Sequence, residues 1–168
     1  VAMTLNNLAI LHSAQTRYDE ALNEYEEALA IYRKLAETNP NTFLPFVAGT
    51  LNNLAVLHKA QNRYDEALNE YEEALTIRRK LAETNPNTFL PDVAQTLINL
   101  SIYFQDCVIE REKSLEYVLE ALLIVLPIVE TVPYTQRYKD VAIAVLRDWD
   151  LSDEEIEQMI AERMKENE

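Results

Sequence analysis

Glycine is nearly missing from this chain: 168 residues contain one, Gly49. Tight β-hairpins need residues at positive φ, so so little glycine argues against a β-rich fold. It also leaves no room for a glycine-rich phosphate loop. The single cysteine, Cys107, has no internal partner for a disulfide, which fits a reducing compartment. Cations are outnumbered, 15 Lys and Arg against 29 Asp and Glu, for a net charge of −14. Binding to nucleic acid or to an anionic membrane needs a basic surface, so neither is expected as a partner. No apolar run reaches the ~18 residues that would span a bilayer, and no signal peptide opens the sequence. Val1 begins what reads as a helix already under way, so the sequence is read as part of a longer, cytoplasmic protein. What the chain has in quantity is alanine, leucine and glutamate, with 48 % apolar residues, and these favour helix.

The dominant signal is internal repetition. Residues 1–46 align without gaps on 47–92, with 39 of 46 positions identical. The seven differences are Met3/Gly49, Ile10/Val56, Ser13/Lys59, Thr16/Asn62, Ala30/Thr76, Tyr32/Arg78 and Phe46/Asp92. A degenerate third copy runs over 93–138, with Leu97 and Leu100 repeating Leu51 and Leu54. It needs one inserted residue near Cys107, after which Ser114, Leu115, Ala121 and Leu122 repeat Ala67, Leu68, Ala74 and Leu75. A decayed fourth start is visible at Asp140-Val141-Ala142.

Each copy spells two helices. The first, over about 47–60, sets Leu51, Leu54, Ala55 and His58 on one stripe. The second, over about 64–84, carries Ala67, Leu68, Tyr71, Ala74 and Leu75 at i, i+4, i+7 and i+8 spacing. Its glutamates come early and Arg78, Arg79 and Lys80 late, an order that complements the helix dipole. Asn85-Pro86 stops it, because proline disfavours helix in the residue before it. The segment Asn-Pro-Asn-Thr-Phe-Leu-Pro is read as a returning loop, with Phe43, Leu44, Phe89 and Leu90 plugging the seam between copies. One helix pair cannot bury its stripe alone, so the copies stack and the end needs a polar cap. The cap is read over 139–168, net −6: a remnant first helix over about 137–149, then a last helix opened by the capping pattern Ser152 to Glu155. Ile156, Met159, Ile160 and Met164 form that helix's apolar stripe.

The order Leu54-Ala55, His58, Ala67, Tyr71, Ala74 resembles the tetratricopeptide repeat. Leu8-Ala9, His12, Ala21, Tyr25 and Ala28 match it again, and Leu100-Ser101, Phe104, Ser114, Val118 and Ala121 more loosely. The phrase Leu-Asn-Asn-Leu-Ala, at Leu5–Ala9 and Leu51–Ala55, is similar to the long-period repeats of kinesin light chain. The resemblance covers about residues 1–126. The period departs from it, at 46 residues against ~34, and histidine stands at His12 and His58 where the family has tyrosine. The resemblance implies an all-α fold: an α-α superhelix, a right-handed solenoid of antiparallel helix pairs with about three repeats plus C-terminal capping helices. It divides into 1–46, 47–92, 93–138 and the cap, all one domain. It also implies a concave groove lined by the first helices.

Met3/Gly49, Ile10/Val56 and Ser13/Lys59 are spaced by 7 and 3, which is one helical face and not the core stripe. That line is read as the groove, each copy presenting a different surface; drift at tolerant solvent positions explains it equally well. Asparagine recurs at Asn7, Asn53 and Asn99, with Asn6 and Asn52 beside the first two. Asparagine is a poor mid-helix residue, and its amide both donates and accepts. These rows are expected to bond an extended peptide backbone, as the resembled family implies, or else to join neighbouring first helices. The expected peptide-binding residues are therefore Met3, Asn6, Asn7, Ile10, Asn52, Asn53, Val56, Lys59 and Asn99. Lys59 is the one cation placed near the groove rim, too few for a carboxylate clamp.

No catalytic constellation, metal site or cofactor is expected. His12 and His58 fall at the same point of successive repeats, ~8–10 Å or more apart, too far to share a zinc ion. They are read as core residues and Cys107 as filler. Consecutive acids such as Glu72-Glu73 point apart on a helix. The function read from the chain is a non-enzymatic scaffold binding a protein or peptide partner. The alternatives are a self-assembly module stacking end to end as a homo-oligomer, or the regulatory part of a larger signalling protein.

Overall fold

The computed structural model describes residues 1–166; Asn167 and Glu168, the end of the cap expected over 139–168, lie outside the described residues. Among the described residues there are eight α-helices and no strand. They are α1 (Ala2–Ala14), α2 (Tyr18–Thr38), α3 (Pro40–Ala60), α4 (Tyr64–Thr84), α5 (Pro86–Asp106), α6 (Arg111–Val125), α7 (Gln136–Asp148) and α8 (Asp153–Glu166). A single 3-10 turn, Pro133–Thr135, precedes α7. The chain divides into two compact units, Val1–Thr84 and Asn85–Glu168. In the first, α1 packs on α2, α2 on α3 and α3 on α4; in the second, α5 packs on α6, and α6 also carries α7 and α8. This is the expected all-α architecture of helix pairs packed in sequence, the solenoid type.

The second helices start and stop where their residues dictate. Both α2 and α4 open with an acidic pair, Asp19-Glu20 and Asp65-Glu66, at the positive end of the dipole. Asn39, forced out of the helical region by Pro40, takes φ −141° and ψ 74° and ends α2.

The first helices are longer than the periodicity suggests. The segment expected as a loop is helical, so α3 begins at Pro40 and α5 at Pro86 rather than near 47 and 93. Pro40 and Pro86 stand in the first turn, where a missing N–H forfeits nothing. Pro45 and Pro91 lie inside the helices, but near enough to the start that only the carbonyl of Asn41 or Asn87 loses its partner. Phe43 and Leu44 are thus half-buried helical residues, not a loop plug, and Phe43 packs on the core of the first unit. Phe89 and Leu90 are likewise helical and half-buried.

Each first helix is joined to its second by a turn with one residue in the left-handed region: Thr16 at φ 61°, Asn62 at 59° and Ile109 at 57°. The next backbone N–H closes the turn. Arg17 donates to the His12 carbonyl and Arg63 to the His58 carbonyl, both at 2.9 Å, and Glu110 to the Phe104 carbonyl at 2.8 Å. The third turn spans one residue more, which locates the insertion before Ile109. The helices cross where side chains are smallest. Ala9, Ala21, Ala55 and Ala67 are fully buried, as are Ser101 and Ser114, whose hydroxyl-to-carbonyl bond is 2.7 Å. Leu51, Leu57, Leu97, Leu100 and Leu122 fill the space around these crossings, each worth roughly 1.5–3 kcal/mol.

The cap forms as its sequence directs. Ser152 N–H donates to Glu155 Oε2 at 2.8 Å and Glu155 N–H to Ser152 Oγ at 3.3 Å, a closed capping box. Ile156 is buried, Met159 and Ile160 are half-buried, and Met164 is exposed.

Candidate functional site

The helix α1 has three faces. Ala2, Ala9 and His12 are buried; Val1, Leu8 and Leu11 are exposed; Met3, Asn6 and Asn7 line a groove shared with α3. This groove, about 310 Å³, is completed by Tyr32 of α2 and by Pro45, Phe46, Gly49, Thr50 and Asn53 of α3. Its aromatic wall is a stacked pair, Tyr32 on Phe46, with centroids 5.2 Å apart.

The asparagines divide into two roles. Asn6 Oδ1 accepts a hydrogen bond from Thr50 Oγ1 at 3.2 Å, so it joins the two first helices. Asn7 and Asn53, at equal repeat positions, line the groove and make no hydrogen bond among the described residues. Asn52 is buried in α3 and outside the groove lining. Ile10 and Val56 are exposed and Lys59 is half-buried and already engaged; none of the three lines this groove.

The second unit has a groove of its own at the same register. Gln95, Ile98, Asn99 and Ile102 of α5 face Tyr134, Arg137, Tyr138 and Val141 across about 420 Å³. Tyr134 and Tyr138 meet edge to face at 6.1 Å, and Asn99 is already engaged. Sequence reasoning placed Asn99 here but missed Tyr134, Arg137 and Tyr138, which fall at the end of the degenerate third copy read over 93–138, where no repeat position was matched. The i, i+4 spacing of the two tyrosines was the available signal.

His12 and His58 bind carboxylates across the hairpin: His12 Nδ1 to Glu24 Oε2 and His58 Nδ1 to Glu70 Oε2, each 2.8 Å. Burial pushes the Glu70 carboxyl up to about 8 and holds His58 below its ordinary value, with Arg63 adding to the latter. Burial thus disfavours charge on both partners of this contact. His58 Nε2 is buried without a hydrogen-bond partner. In the third repeat the equivalent positions hold Phe104 and Tyr117, stacked at 5.8 Å. The histidines thus serve the helix crossing. No group of three or more His, Cys, Asp or Glu among the described residues is placed to hold a metal ion.

Residues 1–80 match the family model described as tetratricopeptide repeat. No curated protein matches the chain in sequence. Among solved structures, that of BtubC (BKLC) from P. vanneervenii is similar, with a TM-score of 0.59 at 19 % identity. The match covers 90 % of this chain and 65 % of that one, so the chain spans less than two thirds of that protein's length. At such identity the likeness concerns the fold alone.

Proposed function

We propose that this chain, which over residues 1–80 belongs to the tetratricopeptide repeat family, holds an extended peptide segment of a protein partner against its first helices. Repeats of this family are protein–protein interaction scaffolds, generally without catalysis of their own. The observation that carries the finer reading is the pair Asn7 and Asn53. Each presents an amide donor and an amide acceptor, unsatisfied by the protein, into one groove beside the Tyr32–Phe46 stack. An amide that pairs with peptide N–H and C=O groups reads a backbone regardless of side chains, and the stack offers apolar surface for the side chains between. The chain's net charge of −14 favours a basic segment over an acidic one. No described helix is long and apolar enough to cross a membrane, and we place the chain in the cytoplasm on its single cysteine.

The test compares the wild-type array with an N7A/N53A variant as bait, reading captured proteins by mass spectrometry. The peptide so identified is then titrated by fluorescence anisotropy. Its affinity should fall at least tenfold in the variant while the thermal midpoint stays within about 2 °C, as expected for surface changes of under ~0.5 kcal/mol. Identical capture by both baits, or binding lost only in step with stability, overturns the reading.

A further inference from the structure

One position of the first helix lines a groove in all three copies and holds a different residue in each: Met3 in α1, Gly49 in α3 and Gln95 in α5. Only in α3 is it bare. Gly49 lies well inside that helix, which runs from Pro40 to Ala60, where glycine is the least favoured residue after proline. No requirement of the fold puts it there. Its φ is not positive, so its backbone conformation is open to other residues. A Cβ built on it meets nothing within 4 Å, so no neighbour needs the space. The proline inside α3, Pro45, does not demand it either, since α5 carries Pro91 at the same register and stays helical with Gln95.

The surroundings give this gap its chemistry. Phe46, Gly49 and Asn53 follow at steps of 3 and 4, one line along α3, and all three line the groove with Asn7 of α1. Phe46 stacks on Tyr32 and still keeps 44 % of its surface exposed. Met3/Gly49, Tyr32/Arg78 and Phe46/Asp92 are three of the seven differences between the copies, and Met3, Gly49, Tyr32 and Phe46 all line this one groove, so it is where the copies part. None of its lining residues is charged, so a charged side chain entering it would lose water without gaining a counter-ion. A neutral ring fits instead: it can lie flat on the bare helix backbone and meet Phe46 in an offset or edge-on contact.

We propose that Gly49 is the specificity-determining position of this groove, and that the space above it takes one aromatic side chain of the bound segment while Asn7 and Asn53 hold the peptide groups to either side. This role rests on the reading of the groove as a peptide site and adds to it the class of residue that is selected. A helix that a side chain at residue 49 would stabilise keeps a hole there instead, beside an exposed ring.

The probes are N-acetyl-phenylalanine methylamide, which offers one ring between two peptide groups, and its alanine and leucine analogues, each titrated into the intact chain. Binding is read by saturation-transfer NMR on the probe. Glycine-selective isotope labelling adds the amide signal of Gly49, the one glycine. The phenylalanine probe should bind saturably, shift that amide, and bind about tenfold tighter than the alanine probe, as a partly buried ring allows. Gly49→Met should remove this advantage. Gly49→Ala should raise the thermal midpoint by about 2–4 °C, because alanine is the better helix residue. N7A/N53A should weaken both probes alike and keep their ratio. If N7A/N53A weakens both probes but the advantage survives Gly49→Met, the role of Gly49 is overturned and the groove reading stands. If N7A/N53A leaves both probes unaffected, the two fall together. A lowered midpoint in Gly49→Ala would make the glycine a packing requirement and overturn the proposal. So would a leucine probe that binds as tightly as the phenylalanine one, or no saturable binding up to the solubility limit.

Discussion

His58 Nδ1 lies 2.8 Å from Glu70 Oε2, a contact made across a hairpin and repeated by His12 and Glu24 at the same distance. In the unfolded chain a glutamate loses its proton near pH ~4.3, whereas folded Glu70 keeps it to about 8. The folded state thus holds the extra proton between these values. The stability this carboxyl contributes is full below the unfolded value and lost as pH rises through about 8. His58 acts in the opposite sense: its pKa is held down in the fold, so its contribution is present above about pH 6.5 and lost in acid. Glu70→Gln keeps a hydrogen-bond partner for Nδ1 and removes the titration. Urea unfolding should show the variant level with wild type at pH 4 and about 1–2 kcal/mol more stable at pH 9, after allowance for solvent screening. Parallel pH profiles would show that Glu70 is not held neutral.

The third repeat solves the same crossing with an aromatic pair, Phe104 on Tyr117. The two solutions should therefore be exchangeable as pairs but not singly. His58→Phe leaves the Glu70 carboxyl without its partner and should cost about 2–3 kcal/mol. Glu70→Tyr leaves the His58 ring with neither nitrogen satisfied and should cost a similar amount. The double substitution recreates the pair of the third repeat and should recover about 1–3 kcal/mol of the summed loss. A double-mutant cycle by chemical denaturation measures this coupling directly; additive losses would show that the pair has no interaction of its own.

These partners illustrate which parts of the molecule its sequence reveals. The second helices, Tyr18–Thr38 and Tyr64–Thr84, were legible because apolar period, early acids and the Asn-Pro stop all agree. The starts of α3 and α5 were not. Proline reads as a breaker, and only the capping geometry shows that Pro45 and Pro91 fall early enough in the helix to be tolerated. The exposed line through Met3, Ile10 and Val56 was visible as differences between copies, and the structure exposes all three. Asn52 looked equivalent to Asn53 in sequence, yet one residue turns a helix by about 100°, and Asn52 is buried. The carboxylate partners of the histidines were hidden for a different reason. They lie twelve residues away on another helix, and only the recurrence of that interval in both copies hints at them.

The difference Thr16/Asn62 falls on the turn residue that must adopt positive φ, 61° and 59° respectively. Asparagine tolerates this region, whereas a β-branched side chain crowds the backbone there. Thr16→Asn should therefore stabilise the protein by about 1 kcal/mol, and Asn62→Thr should destabilise it by a similar amount. Ile109, at φ 57° in the third turn, should gain as much on replacement by glycine. Differential scanning calorimetry of the three variants checks the signs, and a loss in Thr16→Asn would contradict the strain assigned to that turn.

Trp149, the chain's single tryptophan, ties the cap to the third repeat. Its indole Nε1–H donates to Ser114 Oγ at 2.9 Å, and Ser114 in turn sits against Ser101 at the crossing of α5 and α6. Ser114 is fully buried, so the bond is made where water is excluded, and leaving the indole donor unsatisfied there costs about 1–3 kcal/mol. Ser114→Ala fits the space, because the first two repeats carry alanine at this position, Ala21 and Ala67. It removes the acceptor and the hydroxyl contact with Ser101 Oγ, while Ser101 Oγ keeps its bond to the Ser114 carbonyl. The expected result is a loss of about 1–2 kcal/mol together with a shift in Trp149 emission, while helicity is retained. Trp149→Phe removes the donor instead and should cost more, because indole contact area goes with it. Equal stability of Ser114→Ala and wild type would mean that the cap is held by Ile156 and the buried face of α7 alone.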